Sequence, residues 1–298
     1  MSGVTWARMR TFVTVADTGS IRAAAEQLHV TEPAVSAAVG HIERHLGVEL
    51  LSREGRGIRL TQSGHTYARY CRTLLGLAEE AETAVRAATS GRLRIGAVAT
   101  AGETVLPRLL ATFRARYPDV ELSLSVRPRD ELFAELDQHQ VDLAVAGRPP
   151  HGSGLVSVAR RPNRLVVVAA PGYDVPPATA TWLLRGRGSG TRRTCLALLE
   201  QRQWQPPTLT LGTHGAVLAA AREGLGLTLV HSDAVADALR EGALRVVPVP
   251  GTPLDRPWHL VTAGAAPPAA ELFVEHVCGH VDGRGEDFGF HPHNRPQG

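Results

Sequence analysis

Thr31, Glu32, Pro33 and Ser36 lie at the start of TEPAVSAAVGHIERHLG, off an apolar stripe made by Val35, Ala38, Val39, Ile42 and Leu46. Hydroxyls and a carboxylate on the first turns of a helix are groups that can reach base edges in a major groove. Thr31 reads as the N-cap, Pro33 sits where its missing N–H costs nothing, and Gly47 closes the helix. Upstream, Ser20 caps a shorter helix with Ile21, Ala24, Ala25 and Leu28 on one face, and His29-Val30 makes the turn between the two. Downstream, Leu50-Leu51 and Ile58–Leu60 flank Arg53-Glu54-Gly55-Arg56-Gly57. This predicts a two-stranded wing whose Arg53 and Arg56 reach phosphates. Helix, turn, helix and wing in that order imply a winged helix-turn-helix that lies on double-stranded DNA.

A second set of residues carries anion chemistry. Thr100, Ala101 and Gly102 follow one expected strand and open a helix. Ser189, Gly190 and Thr191 open another. Thr213 and His214 follow a third strand, and Arg127 and Arg148 each sit just past a strand end. In open α/β sheets, ligands bind at the carboxyl ends of strands, often on helix N-termini. Backbone N–H groups and hydroxyls there suit an anion, and the arginines suit a carboxylate or phosphate. The competing reading is that these are ordinary caps and turn residues.

The elements that position these groups follow from periodicity. Residues 5–17 predict a helix with Trp6, Met9, Phe12, Val13 and Ala16 on its apolar face. From Gln62 to about Ala88 there is no proline, and Tyr70, Leu74, Leu77, Ala81, Ala84 and Ala88 recur at spacings of four and three. That is a coiled-coil seam, best buried by pairing with a second copy. From Arg92 the texture alternates strand and helix: strands at 93–98, 120–126 and 141–146, and helices at 104–117 and 131–139. A second such unit has strands at 165–170, 182–184, 208–212, 227–231, 243–249 and 258–263, with helices between them. A final helix at 267–281 returns to the first unit. The alternation predicts parallel sheets covered by helices.

Composition narrows the function classes. The chain has 298 residues, 43% of them hydrophobic, which allows two or three domains of a soluble protein. No stretch is long and apolar enough to span a membrane, and the first residues lack the basic and apolar regions of a signal peptide. The reading is therefore cytoplasmic. The three cysteines Cys71, Cys195 and Cys278 are far apart, so no disulfide framework is expected. All 32 basic residues of the Lys+Arg count are arginine, which removes a P-loop lysine, a Schiff-base lysine and a pyridoxal phosphate anchor. Arg187 stands two before Ser189, so Gly188-Ser189-Gly190 is no nucleophile elbow. CxxC, HExxH and Walker A patterns are absent, and Gly224-Leu225-Gly226 lacks a dinucleotide fingerprint. An enzyme, a metal site and a cofactor are not expected.

The stretch AAAEQLHVTEPAVSAAVGHIERHLGVELLSREGRGIRLTQSG strongly resembles the DNA-binding domain of LysR-type transcriptional regulators. It has the alanine-rich first helix, the Pro-Ala-Val-Ser recognition helix, the Ile-Glu-x-x-Leu-Gly exit, the arginine-bearing wing and the Leu-Thr-x-x-Gly helix start. The resemblance is specific over residues 8–64 and weaker over most of the remainder. There the marks are Thr-Ala-Gly after the first strand, Val-Asp-Leu-Ala-Val, Gly-Ser-Gly-Thr-Arg-Arg, and Ala-x-x-Glu-Gly-Leu-Gly-Leu-Thr-Leu-Val.

The resemblance implies an N-terminal winged helix-turn-helix at 1–61, a linker and dimerisation helix at 62–90, and an effector-binding domain at 91–281. That domain would be α/β and two-lobed, like a periplasmic binding protein. Lobe I would take 91–162 and 264–281, lobe II 163–263, and 282–298 would be a disordered tail. DNA contacts are implied for Ser20, Thr31, Glu32, Pro33, Ser36, Arg53 and Arg56. A small-molecule effector is implied between the lobes, with the chain a homodimer or homotetramer and RNA polymerase a further partner. Glu32 stands where the family usually has glutamine, which removes an adenine contact and allows acceptance from cytosine N4. Ala37-Ala38 replaces positions that are often longer and polar, which shifts affinity toward phosphates. The alternatives are a redox-sensing regulator using Cys195, and a small-molecule binding protein without specific DNA recognition.

Overall fold

The computed structural model describes residues 3–54, 57–85, 91–264, 266–279 and 289–292. The chain divides into two compact units, Met1–Arg86 with Asp137–Gln140, and Ala87–Leu136 with Val141–Gly298.

The first unit opens with α1 (Trp6–Thr18), α2 (Ile21–Leu28) and α3 (Glu32–Leu46). Each start is capped by a hydroxyl: Thr5, Ser20 and Thr31 accept from the backbone N–H three residues on. Gly19 and Gly47 end α1 and α3 at φ of 63° and 70°, a left-handed turn in which glycine carries no Cβ penalty. β1 (Leu51–Glu54) and β2 (Gly57–Leu60) form the antiparallel wing, with Leu51 opposite Leu60 and Arg53 opposite Ile58. α4 (Gln62–Val85) follows; the end of the expected helix beyond Val85, Ala88 included, lies outside the described residues.

Phe12, Val15, Ala24, Ala25, Val35, Val39, Ile42, Leu50, Ala68 and Cys71 close one core. Two expectations fail at its edge. Trp6 is 53% exposed and Leu46 41%, because the first turn of α1 and the last of α3 project past the buried cluster. At Gly64 an added Cβ would lie 2.1 Å from the Leu50 carbonyl oxygen. Only glycine lets α4 start this close to the strand.

The second unit runs β3 (Arg92–Ala97), α5 (Ala99–Thr104), α6 (Leu106–Arg116), β4 (Glu121–Val126), α7 (Arg129–Asp137), β5 (Leu143–Ala146) and β6 (Val156–Arg161). It continues with β7 (Arg164–Ala169), β8 (Trp182–Leu184), α8 (Gly190–Gln201), β9 (Thr208–Thr210), α9 (His214–Arg222) and β10 (Thr228–His231). A 3-10 turn (Ser232–Ala234), α10 (Ala236–Arg240), β11 (Arg245–Val246), β12 (Leu254–Asp255), β13 (Trp258–Thr262), α11 (Pro268–Cys278) and β14 (His291–Pro292) complete it.

Two lobes result. In lobe I the strand order is β14-β6-β13-β5-β3-β4, parallel only at β5-β3-β4. The fully parallel sheet expected from the alternation is thus a mixed one. β13 enters antiparallel between β5 and β6 after the chain has visited lobe II. In lobe II, β7 pairs antiparallel with β10, β11 and β12, while β8 and β9 run parallel. β7 buries residues on both faces: Leu165, Val167 and Ala169 join Trp182 and Leu198, and Val168 joins Val217 and Val230. The chain crosses between lobes twice, at Pro162-Asn163 and at Arg256-Pro257.

The helix expected over 104–117 is α6, from Leu106 to Arg116, and a separate short helix, α5, precedes it. The expected disordered tail is corrected in part. Phe290 is 1% exposed in the lobe I core, its N–H donates to Val277 O at 3.0 Å, and His291-Pro292 pair with β6. The buried Phe290 anchors the described residues 289–292; the rest of 282–298 lies outside the described residues.

Candidate functional site

In the first unit α3 presents Glu32, Pro33 and Ser36 to solvent, while Val35, Val39 and Ile42 are buried beneath. Ser20 and Thr31 spend their hydroxyls on capping α2 and α3, which fixes the start of each helix. The wing is tied to α3 by Glu43, whose Oε1 accepts from the N–H of Leu50 at 2.8 Å and of Leu51 at 3.1 Å. This gives a physical reason for the glutamate in the Ile-Glu-x-x-Leu-Gly exit. Of Arg53 only the backbone is described, and Arg56 lies outside the described residues. Along α4, Tyr70 (55% exposed), Leu74 (42%), Leu77 (42%) and Ala81 lie on an open face, opposite the buried Gly64, Ala68 and Cys71. The side chain of Ala84 lies outside the described residues.

In the second unit a cleft of about 790 Å³ separates the lobes, within the range of small-molecule sites. Of the residues expected there, it is lined by Thr100, Arg127, Arg148, Ser189 and Thr191. Ala101, Gly102, Thr213 and His214 are not among its lining residues. Ala101 and Gly102 are buried within α5, which begins at Ala99, and Ala101 joins the lobe I core. Thr213 caps α9, its hydroxyl accepting from Ala216 N at 3.2 Å. His214 is 5% exposed beneath the floor, and its Nε2 has no hydrogen-bond partner. Burial, and then Arg185, push its pKa down to about 4.

Arginines dominate the lining. Arg127, Arg129 and Arg148 stand on the lobe I side, Arg185, Arg187 and Arg193 on the lobe II side, and Arg256 at a crossing; Asp255 is the one carboxylate. Asp255 is engaged by Arg164 at 3.1 Å, and Arg127 by Glu135 at 3.2 Å. Among the described residues no carboxylate lies within ion-pair distance of Arg148, Arg185, Arg187, Arg193 or Arg256. Burial lowers the pKa of Arg256, and Arg129 and Arg193 lower it further, so these cations repel across the space.

Arg185 spans the cleft, its Nη1 donating to Thr100 Oγ1 at 3.0 Å. Its Nε is buried without a partner, and burial lowers its pKa. Buried cationic donors left without an anion are costly. The cleft therefore carries positive charge from both lobes, with Ser189 at the N-terminus of α8 adding a helix dipole of the same sense.

Arg129, Arg185, Arg187, Arg193, Arg256 and His231 are cleft residues that sequence reasoning did not single out. With 32 arginines in the chain, arginine is no local signal. Position is: Arg185 directly follows β8, and His231 ends β10. Among the described residues no group of three or more His, Cys, Asp and Glu side chains is placed to hold a metal ion.

Residues 6–65 match the bacterial regulatory helix-turn-helix protein, lysR family, and residues 86–281 match the LysR substrate binding domain. The chain belongs to the LysR family of transcriptional regulators. It is 32% identical to the HTH-type transcriptional regulator CfxR of Cupriavidus necator, across 94% of this chain and 93% of that protein. It is 33% identical to CbbR of Rhodospirillum rubrum, across 85% and 88%. YeiE of Escherichia coli K12 is 31% identical across 83% and 87%. Among solved structures, full-length OxyR from Pseudomonas aeruginosa superposes with a TM-score of 0.72 at 20% identity, over 96% of this chain and 98% of that one. Full-length CbnR in complex with its target DNA gives 0.63 at 24%, over 92% and 98%. These two show the shared LysR fold.

The LysR families matched are those of regulators, not of enzymes. The redox alternative is disfavoured: Cys195 is 2% exposed, and burial pushes its thiol up to about 12, away from the reactive thiolate. Among the described residues no helix is long and apolar enough to cross a membrane.

Proposed function

We propose that this LysR-family regulator binds double-stranded DNA as a homodimer or homotetramer and is controlled by a small anionic effector held between its two lobes. Thr31, Glu32, Pro33 and Ser36 contact the major groove, and Arg53 and Arg56 the phosphates. Tyr70, Leu74, Leu77, Ala81 and Ala84 pair with a second copy, covering the apolar residues that the open face of α4 exposes. Thr100, Arg148, Arg185, Ser189 and Thr191 bind the effector, which closes the lobes and changes the spacing of paired recognition helices. The protein acts in the cytoplasm, where the DNA is.

The cleft's imbalance of charge carries the reading: seven arginines against one carboxylate, with Arg185 bonded to the facing lobe and its Nε unpartnered. Calorimetry of the full chain against mono-, di- and trianionic metabolites and their neutral analogues tests it. The expected result is affinity that rises with charge and falls at least tenfold in Arg185→Met. Tight binding confined to neutral or cationic compounds would overturn it.

A further inference from the structure

His231 stands at the carboxyl end of β10, where it lines the cleft and stacks on Trp258 with ring centroids 4.3 Å apart. The stack is itself held, since Trp258 Nε1 donates to Asp233 at 3.0 Å and Asp233 pairs with the buried Arg161. The ring plane of His231 is therefore set by packing.

Its protonation pattern is set by Asn163, at one of the two crossings between lobes. The Asn163 side chain contacts three groups. Its Nδ2 lies 3.1 Å from the carbonyl oxygen of Arg256, which can only accept, so the amide NH2 must point there. Its Oδ1 accepts from the Ser232 hydroxyl at 3.2 Å, which agrees with that orientation. The second amide proton then meets His231 Nδ1, which must be the unprotonated ring nitrogen. Burial first, then His214, Arg256 and Arg185, hold the ring's pKa down at about 3, so the imidazole is neutral at pH 7. A neutral ring with a bare Nδ1 carries its one proton on Nε2.

We infer that His231 is a binding residue of the effector cleft, an uncharged donor whose Nε2–H is fixed by Asn163 and selects an acceptor atom on the ligand. The inference rests on the anion reading above and adds what arginine cannot supply. A guanidinium attracts any anion. A fixed neutral donor on a rigid ring separates ligands by whether the atom facing it accepts or donates. Because Asn163 and Arg256 lie on the two chain crossings, the same hydrogen bonds tie ligand contact to the segments about which the lobes rotate.

Sulfate and hydrogen phosphate are the probes, since sulfate only accepts hydrogen bonds and hydrogen phosphate also carries a donor. Two measurements on the full chain are made together. In a 15N-histidine NMR spectrum, the His231 resonances, assigned by their loss in His231→Phe, should show a protonated Nε2 and a bare Nδ1 unchanged from pH 6 to 8. Adding sulfate should move the Nε2 resonance. In calorimetry, sulfate should bind at least as well as phosphate, and about tenfold more weakly in His231→Phe, whose ring preserves the stack on Trp258. A proton on Nδ1, an Nε2 resonance unmoved at saturating sulfate, or full sulfate affinity in His231→Phe would each overturn the inference. Failure of the unsubstituted chain to bind either anion would overturn the anion reading itself, and His231's part with it. Binding that is lost in Arg185→Met but kept in His231→Phe would overturn His231's part alone.

Discussion

Replacing Glu43 by alanine tests how the wing is fastened to the recognition helix. Glu43 lies one turn before the end of α3, and its Oε1 accepts two backbone N–H groups, from Leu50 at 2.8 Å and Leu51 at 3.1 Å. Leu50 is fully buried, so its amide has no ready access to water once the carboxylate is gone. A hydrogen bond to a charged group is worth about 1.5–3 kcal/mol, and the partial exposure of Glu43 places the pair below the simple sum of about 3–6 kcal/mol. The expected loss is about 2–3 kcal/mol, concentrated at the α3–β1 junction. Hydrogen exchange on the full chain reads it directly, because the amides of Leu50 and Leu51 should exchange roughly 30- to 150-fold faster. Glu43→Gln keeps an oxygen at the same reach and loses the charge, so it should lie between alanine and the native residue. Acceleration of less than about threefold in Glu43→Ala would refute the reasoning. A Gln variant as damaged as the alanine one would refute the role of the oxygen.

Phe290→Ala should destabilise the second unit by about 3–5 kcal/mol in urea unfolding, as expected for a fully buried aromatic. A loss below about 1 kcal/mol would mean the segment does not dock. Gly64→Ala places a methyl 2.1 Å from the Leu50 carbonyl and should lower the melting temperature of the first unit by several degrees, seen by calorimetry, with the second unit's transition unmoved. The pH dependence of the second unit follows from His214 and His231, held at about 4 and about 3. The unfolded chain takes up these protons near pH 6.5 and the folded one does not. Their contribution is therefore complete above about pH 6.5 and is lost as pH falls toward the folded values. Between pH 6 and 5 the two together should remove roughly 2 kcal/mol. His214→Leu should cut that slope by about half in urea titrations at the two pH values, and an unchanged slope would contradict the assignment.

The DNA-binding end of the chain was legible because its signals are local. A hydroxyl cap, a 3.6-residue apolar period and a closing glycine each lie within a few residues, and α2 and α3 start at the expected caps Ser20 and Thr31. The exposure of Trp6 was not legible, since a stripe shows which face is apolar but not how far the core extends along it. The cleft was legible only in outline. Strand ends pointed to Thr100, Arg127, Arg148, Ser189 and Thr191, and the structure brings these together. It sends Ala101 and Gly102 inward, because α5 begins two residues before Ala101 and a helix turns about 100° per residue. β6 is absent from the strands read from periodicity, and its sequence VSVARR ends in two arginines. Arg161 of that pair is nonetheless buried, neutralised by Asp233, a residue 72 positions away that no local pattern reveals. The tautomer of His231 depends likewise on Asn163, from the far end of a crossing.

On the function proposed above, an anion in the arginine-lined cleft governs how paired recognition helices meet DNA. Selection of binding sites from random duplex DNA by the full-length chain tests it most directly. It is run with and without the tightest-binding anion, and repeated with Arg185→Met. The expected result is an interrupted inverted repeat whose preferred spacing or protected length changes when the anion is present. In Arg185→Met the same repeat should be recovered and the change should vanish. Absence of any enriched sequence, or an anion response that survives intact in Arg185→Met, would contradict control of DNA binding by an anion in the cleft.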